Sequence, residues 1–303
     1  MSVRELVVLG TASQVPTRAR AHHGAFLRWD HEGVLFDPGE GTQRQLTLAR
    51  VPASAITRIC ITHLHGDHCL GLPGVLQRMA LDGVERVVDL YFPAAGREYV
   101  ERLLTASVSH RLPPVRLWPV ETDGVVSRTR AFTLHARALD HSIPTVGWRL
   151  EEPDGVRMRR DLLAEHGVTG PDVRRIMADG EIVVDDRRVR LDEVSDPRPG
   201  QVVAFVMDTR VCPAAVELAR EADLLVCEST FLTSESELAA AYGHLTARQA
   251  AEIARDAGAR LLVLTHYSQR HPDEEVFAGE ARPVFADVHA ARDLDRFPLP
   301  RRQ

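Results

Sequence analysis

The sequence predicts an α/β protein, layered as α/β or αββα in one compact domain spanning residues 1–303. Three observations carry this. Short apolar runs rich in Val, Ile and Leu alternate with segments of helical periodicity, as expected for strands buried on both faces and covered by helices. The 303 residues, 44% hydrophobic, suffice for a large core. A weak echo also relates two halves of the chain. The stretches 58–63 and 260–266 both read arginine, apolar run, threonine, histidine, and Leu35-Phe36-Asp37 is paralleled by Val206-Met207-Asp208. The echo puts ligand-type residues at strand ends along a shared edge, where loops commonly build active sites.

Strands are expected over residues 6–9, ended by Gly10, and over 33–36, ended by Asp37-Pro38-Gly39. Further strands are expected over 58–62, 87–92, 202–207, 224–227 and 260–265, with an alternating run at 132–139. Apolar spacing of three and four predicts helices over 42–50, 72–81, 94–107, 214–220 and 246–257. About residues 150–200 the character changes. This stretch is highly charged, Gly170-Pro171 breaks its pattern, and Asp185-Asp186 sits at the turn of a hairpin over 182–191. It reads as an inserted arm or subdomain. On the residues alone, a solvated decoration without a partner fits equally well.

The formal net charge is −6, so the surface as a whole is no nucleic-acid footprint, and RNA or DNA would need a local basic patch. All 37 basic residues are arginine, which can grip phosphate through two donors at once. Such residues concentrate in the insertion, among them Arg174 and Arg175, with acidic residues interleaved. The four cysteines, Cys60, Cys69, Cys212 and Cys227, form no C-x-x-C pair and suggest no disulfide framework, so a cytoplasmic location is expected. Cys69 follows the histidine cluster but reads better as a small buried residue. The first apolar run is too short for a signal sequence, no stretch reaches transmembrane length, and no membrane partner is expected.

The chemistry starts at His63-Leu64-His65-Gly66-Asp67-His68, directly after a strand-like run. Three imidazoles and a carboxylate in six residues suit zinc and its first-row neighbours, and packing alone does not account for them, because buried histidines need both ring nitrogens satisfied. Other strand ends add Asp140-His141, Asp208 and His266. Five histidines and two aspartates exceed one tetrahedral site and suit two metals bridged by a carboxylate.

Six motifs in order complete the pattern: Phe36-Asp37-Pro38-Gly39-Glu40-Gly41-Thr42-Gln43; the cluster continuing through Cys69-Leu70-Gly71-Leu72-Pro73-Gly74; His141-Ser142-Ile143-Pro144; Glu228-Ser229-Thr230-Phe231; Gly243-His244-Leu245-Thr246; and Thr265-His266-Tyr267-Ser268-Gln269-Arg270. From Leu9 to about Phe297 the chain resembles the metallo-β-lactamase-fold hydrolases, and within them the tRNase Z (ribonuclease Z) family in its short form. The resemblance implies an αββα sandwich with a protruding arm. The implied activity is zinc-dependent endonucleolytic removal of the 3′ trailer from precursor tRNA, leaving a 3′-hydroxyl.

Carried over by motif, His63, His65 and His141 would hold one zinc of two per subunit. Asp67, His68 and His266 would hold the other, and Asp208 would bridge them. Asp67 would also orient the attacking water. His244 would donate the proton to the leaving ribose oxygen, with Glu228 holding it, and Asp37 would hydrogen-bond the ligand loops. On residues alone, His244 reads equally as a surface histidine before a helix capped by Thr246.

The resemblance also implies that the arm, with Gly170, Pro171, Arg174 and Arg175, grips the tRNA elbow, and that a homodimer presents tRNA from one subunit to the other. The early loop, with Arg18 and Arg20, would touch substrate. Here it departs from the family, with Arg18 for lysine and Ala21 for asparagine. His22 and His23 lie in the same loop, where substrate contact is open. His31, His110, His135, His166, His271 and His289 read as ordinary surface or core residues. Two other functions stay open: a small-ester hydrolase such as a phosphodiesterase, lactonase or sulfatase, and a non-catalytic RNA-binding protein with structural zinc.

Overall fold

Alternate residues of strand β1 (Arg4–Gly10) go to opposite cores, Leu6 and Val8 to one, Val7 and Leu9 to another. That two-residue period repeats through the computed structural model, which describes residues 4–108 and 112–300; His110 lies outside them. Strand β1 joins β2 (Gly24–Trp29), β3 (Glu32–Phe36), β4 (Arg58–Cys60), β5 (Val88–Pro93), β6 (Val115–Val120) and β18 (Arg296–Pro298) in one seven-stranded sheet, ordered β18-β1-β2-β3-β4-β5-β6. Strands β7 (Gly124–Arg128), β8 (Thr133–Leu139), β9 (Thr145–Glu151), β14 (Val202–Val206), β15 (Leu224–Glu228), β16 (Leu262–Thr265) and β17 (Val288–Ala290) form the second, ordered β17-β16-β15-β14-β9-β8-β7. The inner faces of the two sheets meet in an apolar core, where Phe36 stacks on Phe205 at 4.4 Å between ring centres.

The outer faces are covered by helices, as the αββα reading requires. On the first sheet lie α1 (Thr42–Leu48), the short α2 (Gly66–Cys69), α3 (Leu72–Leu81) and α4 (Arg97–Leu104). Helix α3 buries Leu72, Val75, Leu76 and Met79, one face at helical spacing. The second sheet carries α7 (Pro213–Ala219), α9 (Ala247–Asp256) and α10 (Glu275–Ala281), with α8 (Ser236–Tyr242) leading back to the strand ends. Thr246 caps α9, its hydroxyl accepting from Gln249 N at 3.2 Å, but His244 before it is no surface histidine, with its side chain 15% exposed.

Residues 152–201 form a separate compact unit. It holds β10 (Gly155–Met158) paired with β13 (Ser195–Arg198), helices α5 (Arg160–Glu165) and α6 (Gly170–Asp179), and the hairpin β11 (Glu181–Val184) with β12 (Arg187–Arg190). Asp185 and Asp186 turn the hairpin at φ 48° and 62°, the left-handed pair a two-residue turn needs. Gly170-Pro171 opens α6 rather than interrupting structure, because proline at the first turn forfeits no internal hydrogen bond. Val168, Ile176, Ile182, Val189 and Val194 give the unit its own small core.

Candidate metal centre

The site lies where strands end. Asp37 follows β3, His63 lies three residues beyond β4, His141 lies between β8 and β9, Asp208 follows β14, Glu228 ends β15 and His266 follows β16. Asp37 and Asp208 share φ 44°, and His266 has φ 63°. These left-handed backbones cost roughly 1–2 kcal/mol each for a non-glycine residue, a strain the packing around the site must hold in place. Gly39 explains how two loops meet there. A Cβ on it would lie 2.1 Å from the Asp67 carbonyl oxygen, so only glycine lets the 37–43 loop pack against the histidine loop.

Two donor groups converge. In the first, His63 Nε2 lies 3.0 Å from His65 Nδ1 and 3.5 Å from Asp208 Oδ2, and His141 Nε2 lies 3.4 Å from His65 Nδ1 and 3.8 Å from Asp208 Oδ2. In the second, His68 Nε2 lies 3.1 Å from His266 Nε2, and Asp67 Oδ2 lies 3.3 Å and 3.5 Å from those two atoms. Asp208 Oδ1 is 3.4 Å from both. The two oxygens of Asp208 thus face different groups. A tetrahedron with bonds of about 2.0–2.1 Å has edges of about 3.3 Å, and the donor spacings cluster around that value.

The remaining ring nitrogens orient the donors. His68 Nδ1 donates to Asp37 Oδ2 at 2.9 Å and His141 Nδ1 to the Gly243 carbonyl at 2.8 Å. His63 Nδ1 meets Thr62 Oγ1 at 3.0 Å, and that hydroxyl donates to Asp37 Oδ2 at 2.7 Å. His266 Nδ1 meets Thr230 Oγ1 at 2.9 Å, which donates to Glu228 Oε2 at 2.7 Å. With the outer nitrogens so occupied, His63, His68, His141 and His266 turn unprotonated Nε2 lone pairs inward, the arrangement outer partners impose on metal-binding histidines. Asp208 Oδ1 is buried and makes no hydrogen bond. Unpaired lone pairs and a buried carboxylate oxygen this close repel one another unless a cation sits among them. The residues therefore fit a pair of divalent cations.

Electrostatics point the same way. Burial opposes the charge on Asp208, yet positive charge at the positions of His266, His68 and His63 holds its carboxyl well below the usual range, and Asp208, Asp67 and Asp37 in turn raise His68 against its burial, so the cluster calls for positive charge, carried by protons on the rings or by cations between them. Burial likewise works against ionised Glu228, but His244 keeps it charged. Glu228 is fully buried and accepts from Thr209 N at 2.9 Å and from His244 Nδ1 at 3.0 Å. Burial alone would lower His244; Glu228 and then Asp208 outweigh it and raise the imidazole to about 9. Glu228 thus favours the protonated form of an imidazole whose Nδ1 is taken, leaving Nε2 for a ligand. His244 lines a cleft of about 800 Å³ together with Asp67, His141, Asp208 and His266.

Several expected residues fall elsewhere. Arg20 is buried, donates to Glu274 at 3.0 Å and to the His271 carbonyl at 2.8 Å, and stacks over Tyr267. It braces the early loop internally and is not free to meet a substrate phosphate, which corrects the expectation made for it. Arg18 is exposed. Asp140 turns to Arg210 at 3.1 Å, outside both donor groups. Cys69 is buried, its thiol pushed up to about 12 by burial, and donates to the His65 carbonyl. In the 152–201 unit, Arg175 pairs with Asp172 at 3.2 Å, while Arg174 is exposed and has no ion pair among the described residues.

Other cleft residues escaped the sequence reading. Arg270 lies over the Phe231 ring at 5.9 Å, and both line the cleft, as does Tyr242. Of the two histidines whose substrate contact the sequence left open, His22 lines the cleft, whereas His23 is fully buried beside His68 and His266, with ring centres 5.5 and 5.7 Å away. Arg270 and Phe231 lay inside quoted motifs, but no local signal marks which motif residues face a cleft.

The profile of the metallo-β-lactamase superfamily matches residues 26–173, and that of a β-lactamase superfamily domain matches residues 193–267. Ribonuclease Z of Salinispora arenicola is 55% identical, covering 100% of this chain and 98% of that protein. Ribonuclease Z of Nocardia farcinica is 54% identical over the whole of both chains. The crystal structure of human tRNase Z, short form, superimposes with a TM-score of 0.70 at 26% identity, covering 98% of this chain and 99% of that one.

Proposed function

The chain belongs to the ribonuclease Z family of metallo-β-lactamase-fold hydrolases, and from that premise we propose how its residues cut RNA. It is a metal-dependent endoribonuclease of tRNA 3′ processing. The observation that carries the residue assignment is the double convergence on Asp208, one carboxylate oxygen toward each donor group. Two zinc ions would be held there. His63, His65, His141 and Asp208 Oδ2 would hold one, and Asp67, His68, His266 and Asp208 Oδ1 the other, a donor set of imidazole and carboxylate suited to zinc. Bound cations supply an activated water near neutral pH and offset the charge that builds on the phosphoryl oxygens.

The chain's own residues do the rest. Asp67 accepts the proton of the attacking water and orients it toward phosphorus. His244 gives its Nε2 proton to the ribose 3′-oxygen as the P–O bond breaks, so the mature tRNA leaves with a 3′-hydroxyl. Glu228 keeps His244 charged and fixed. Asp37 steadies His68 and, through Thr62, His63.

Asp208→Ala is expected to strip both sites, taking metal content from about two ions per chain to well under one. Elemental analysis of the dialysed variant checks this; full occupancy would refute the bridging role.

The 152–201 unit is proposed to grip the body of the tRNA, with Gly170-Pro171 opening helix α6 and Arg174 reaching phosphate. Glu151 and Val202 are direct cross-strand partners in β9 and β14, so deletion of residues 153–195 leaves a junction that a short loop closes. The deletion is expected to cut tRNA cleavage by about 100-fold or more, as the loss of several phosphate contacts would, while bis(p-nitrophenyl) phosphate turnover stays within about twofold. Intact tRNA processing in the deleted protein would refute the role. A homodimer acting in the cytoplasm completes the reading, supported by the family. No helix among the described residues is long and apolar enough to cross a membrane.

A further inference from the structure

Of the exposed large apolar side chains, Tyr242, Leu70 and Val15 line the cleft that also carries His65, Asp67, His141, Asp208 and His266, at 59%, 55% and 40% exposure. The cleft floor is charged and this part of its lining is apolar, a contrast that marks a ligand surface. Tyr242 is the aromatic member of the three. It ends helix α8, and Gly243 follows it at φ 77°. That left-handed cap turns the chain so that the Gly243 carbonyl accepts from His141 Nδ1 at 2.8 Å. A Cβ at 243 would lie 2.9 Å from that nitrogen. The next residue is His244, whose backbone N–H returns to the Ala239 carbonyl at 2.8 Å. The backbone of Tyr242 is therefore fixed on the same short segment as His244, while its hydroxyl has no hydrogen-bond partner among the described residues. Among the described residues no aromatic ring or cation engages its face.

We propose that Tyr242 is the stacking platform for the nucleobase on the 5′ side of the cut, the base of the nucleotide that becomes the new RNA 3′ end. This rests on the reading of His244 as the donor to the 3′-oxygen. That oxygen belongs to the ribose of the upstream nucleotide, so protein two residues from His244 flanks that nucleotide and not the trailer. Single-stranded bases are read by aromatic faces, and stacking tolerates every base while favouring the larger purines. Tyr242 is thus a positioning residue: it holds the upstream nucleotide so that its 3′-oxygen meets His244.

The test uses the full-length, metal-loaded enzyme and precursor tRNAs carrying a purine, a pyrimidine or an abasic site at the last nucleotide before the cut. With the purine substrate, Tyr242→Ala is expected to raise KM about 10-fold with kcat changed less than threefold, and Tyr242→Phe to behave as wild type. With the abasic substrate, wild type is expected to show the raised KM already, and Tyr242→Ala to add less than twofold. Equal KM for Tyr242→Ala and wild type on the purine substrate would overturn the inference. So would the same fold-loss on purine and abasic substrates, which would mean a distorted site. Wild-type enzyme that cuts none of the three RNAs would overturn the functional reading itself and the inference with it.

Discussion

Asp67→Ala is expected to lower kcat on a 3′-extended tRNA by roughly 10⁴-fold, because in the proposed mechanism it would remove a metal ligand and the acceptor for the water's proton at once. Its carboxylate lies 3.3 Å from His68 Nε2 and 3.5 Å from His266 Nε2. Burial works against its charge, yet His68 and His266 hold its pKa far below the usual carboxylate range. Its charged form is therefore favoured near neutral pH. Asp67→Asn keeps the shape and discards the charge, and should lose nearly as much. Single-turnover cleavage, circular dichroism and metal analysis on the same samples check the result. A folded Asp67→Ala protein within tenfold of wild type would remove Asp67 from the chemistry. Its side chain is largely buried but small, so the expected stability change is minor beside the change in rate.

His244→Ala is expected to cost about 10³-fold on the RNA and less than about 10-fold on bis(p-nitrophenyl) phosphate. A ribose alkoxide is a poor leaving group and needs the proton, whereas nitrophenolate leaves without one. A merely structural role for His244 would depress both substrates alike. The pH dependence adds an independent sign. Burial lowers this imidazole, and Glu228 and Asp208 raise it to about 9. The donor form is thus present below that pKa and is lost as pH rises through it. Cations on Asp208 would claim that carboxylate's share, leaving Glu228 to sustain the shift, so the RNA cleavage rate should fall at or somewhat below pH 9. The limb should be missing in His244→Ala, and Glu228→Gln should move it to lower pH. An unchanged alkaline limb in His244→Ala would assign it to another group.

The parts of the fold most legible in the sequence were those whose signal is local. Helix α3 runs over the predicted residues 72–81, because four apolar positions at helical spacing face one core. The parallel strands β14, β15 and β16 stood out as unbroken apolar runs, since both their faces are covered. The echo between the halves reappears as Asp37 and Asp208 at the same φ of 44°. Strands β2 and β6 were not anticipated. Gly24-Ala25-Phe26-Leu27-Arg28-Trp29 and Val115-Arg116-Leu117-Trp118-Pro119-Val120 mix glycine, arginine or proline into short runs, and their strand character comes from pairing with neighbours far along the chain. The insertion announced itself by composition, but its small core, built from Ile176 of α6, Ile182 and Val189 of the hairpin and Val168 and Val194 of the connections, did not.

For the site, the identity of the donors was a property of the sequence: which side chains are imidazole or carboxylate, and that they stand at strand ends. Their division into two groups was carried over by motif, but the facing of one Asp208 oxygen to each group, the orientation of each ring by Asp37, Thr62, Thr230 or Gly243, and the electrostatic bias on His244 were decided by tertiary structure alone. So was the internal bracing of Arg20 by Glu274, which no local pattern foreshadows. The physical reason is range. Secondary structure and ligand type are set by residues within a turn or two, whereas tautomer, pKa and exposure depend on atoms 3–4 Å away, some of which, as with His68 and His266, lie 198 residues apart in the chain.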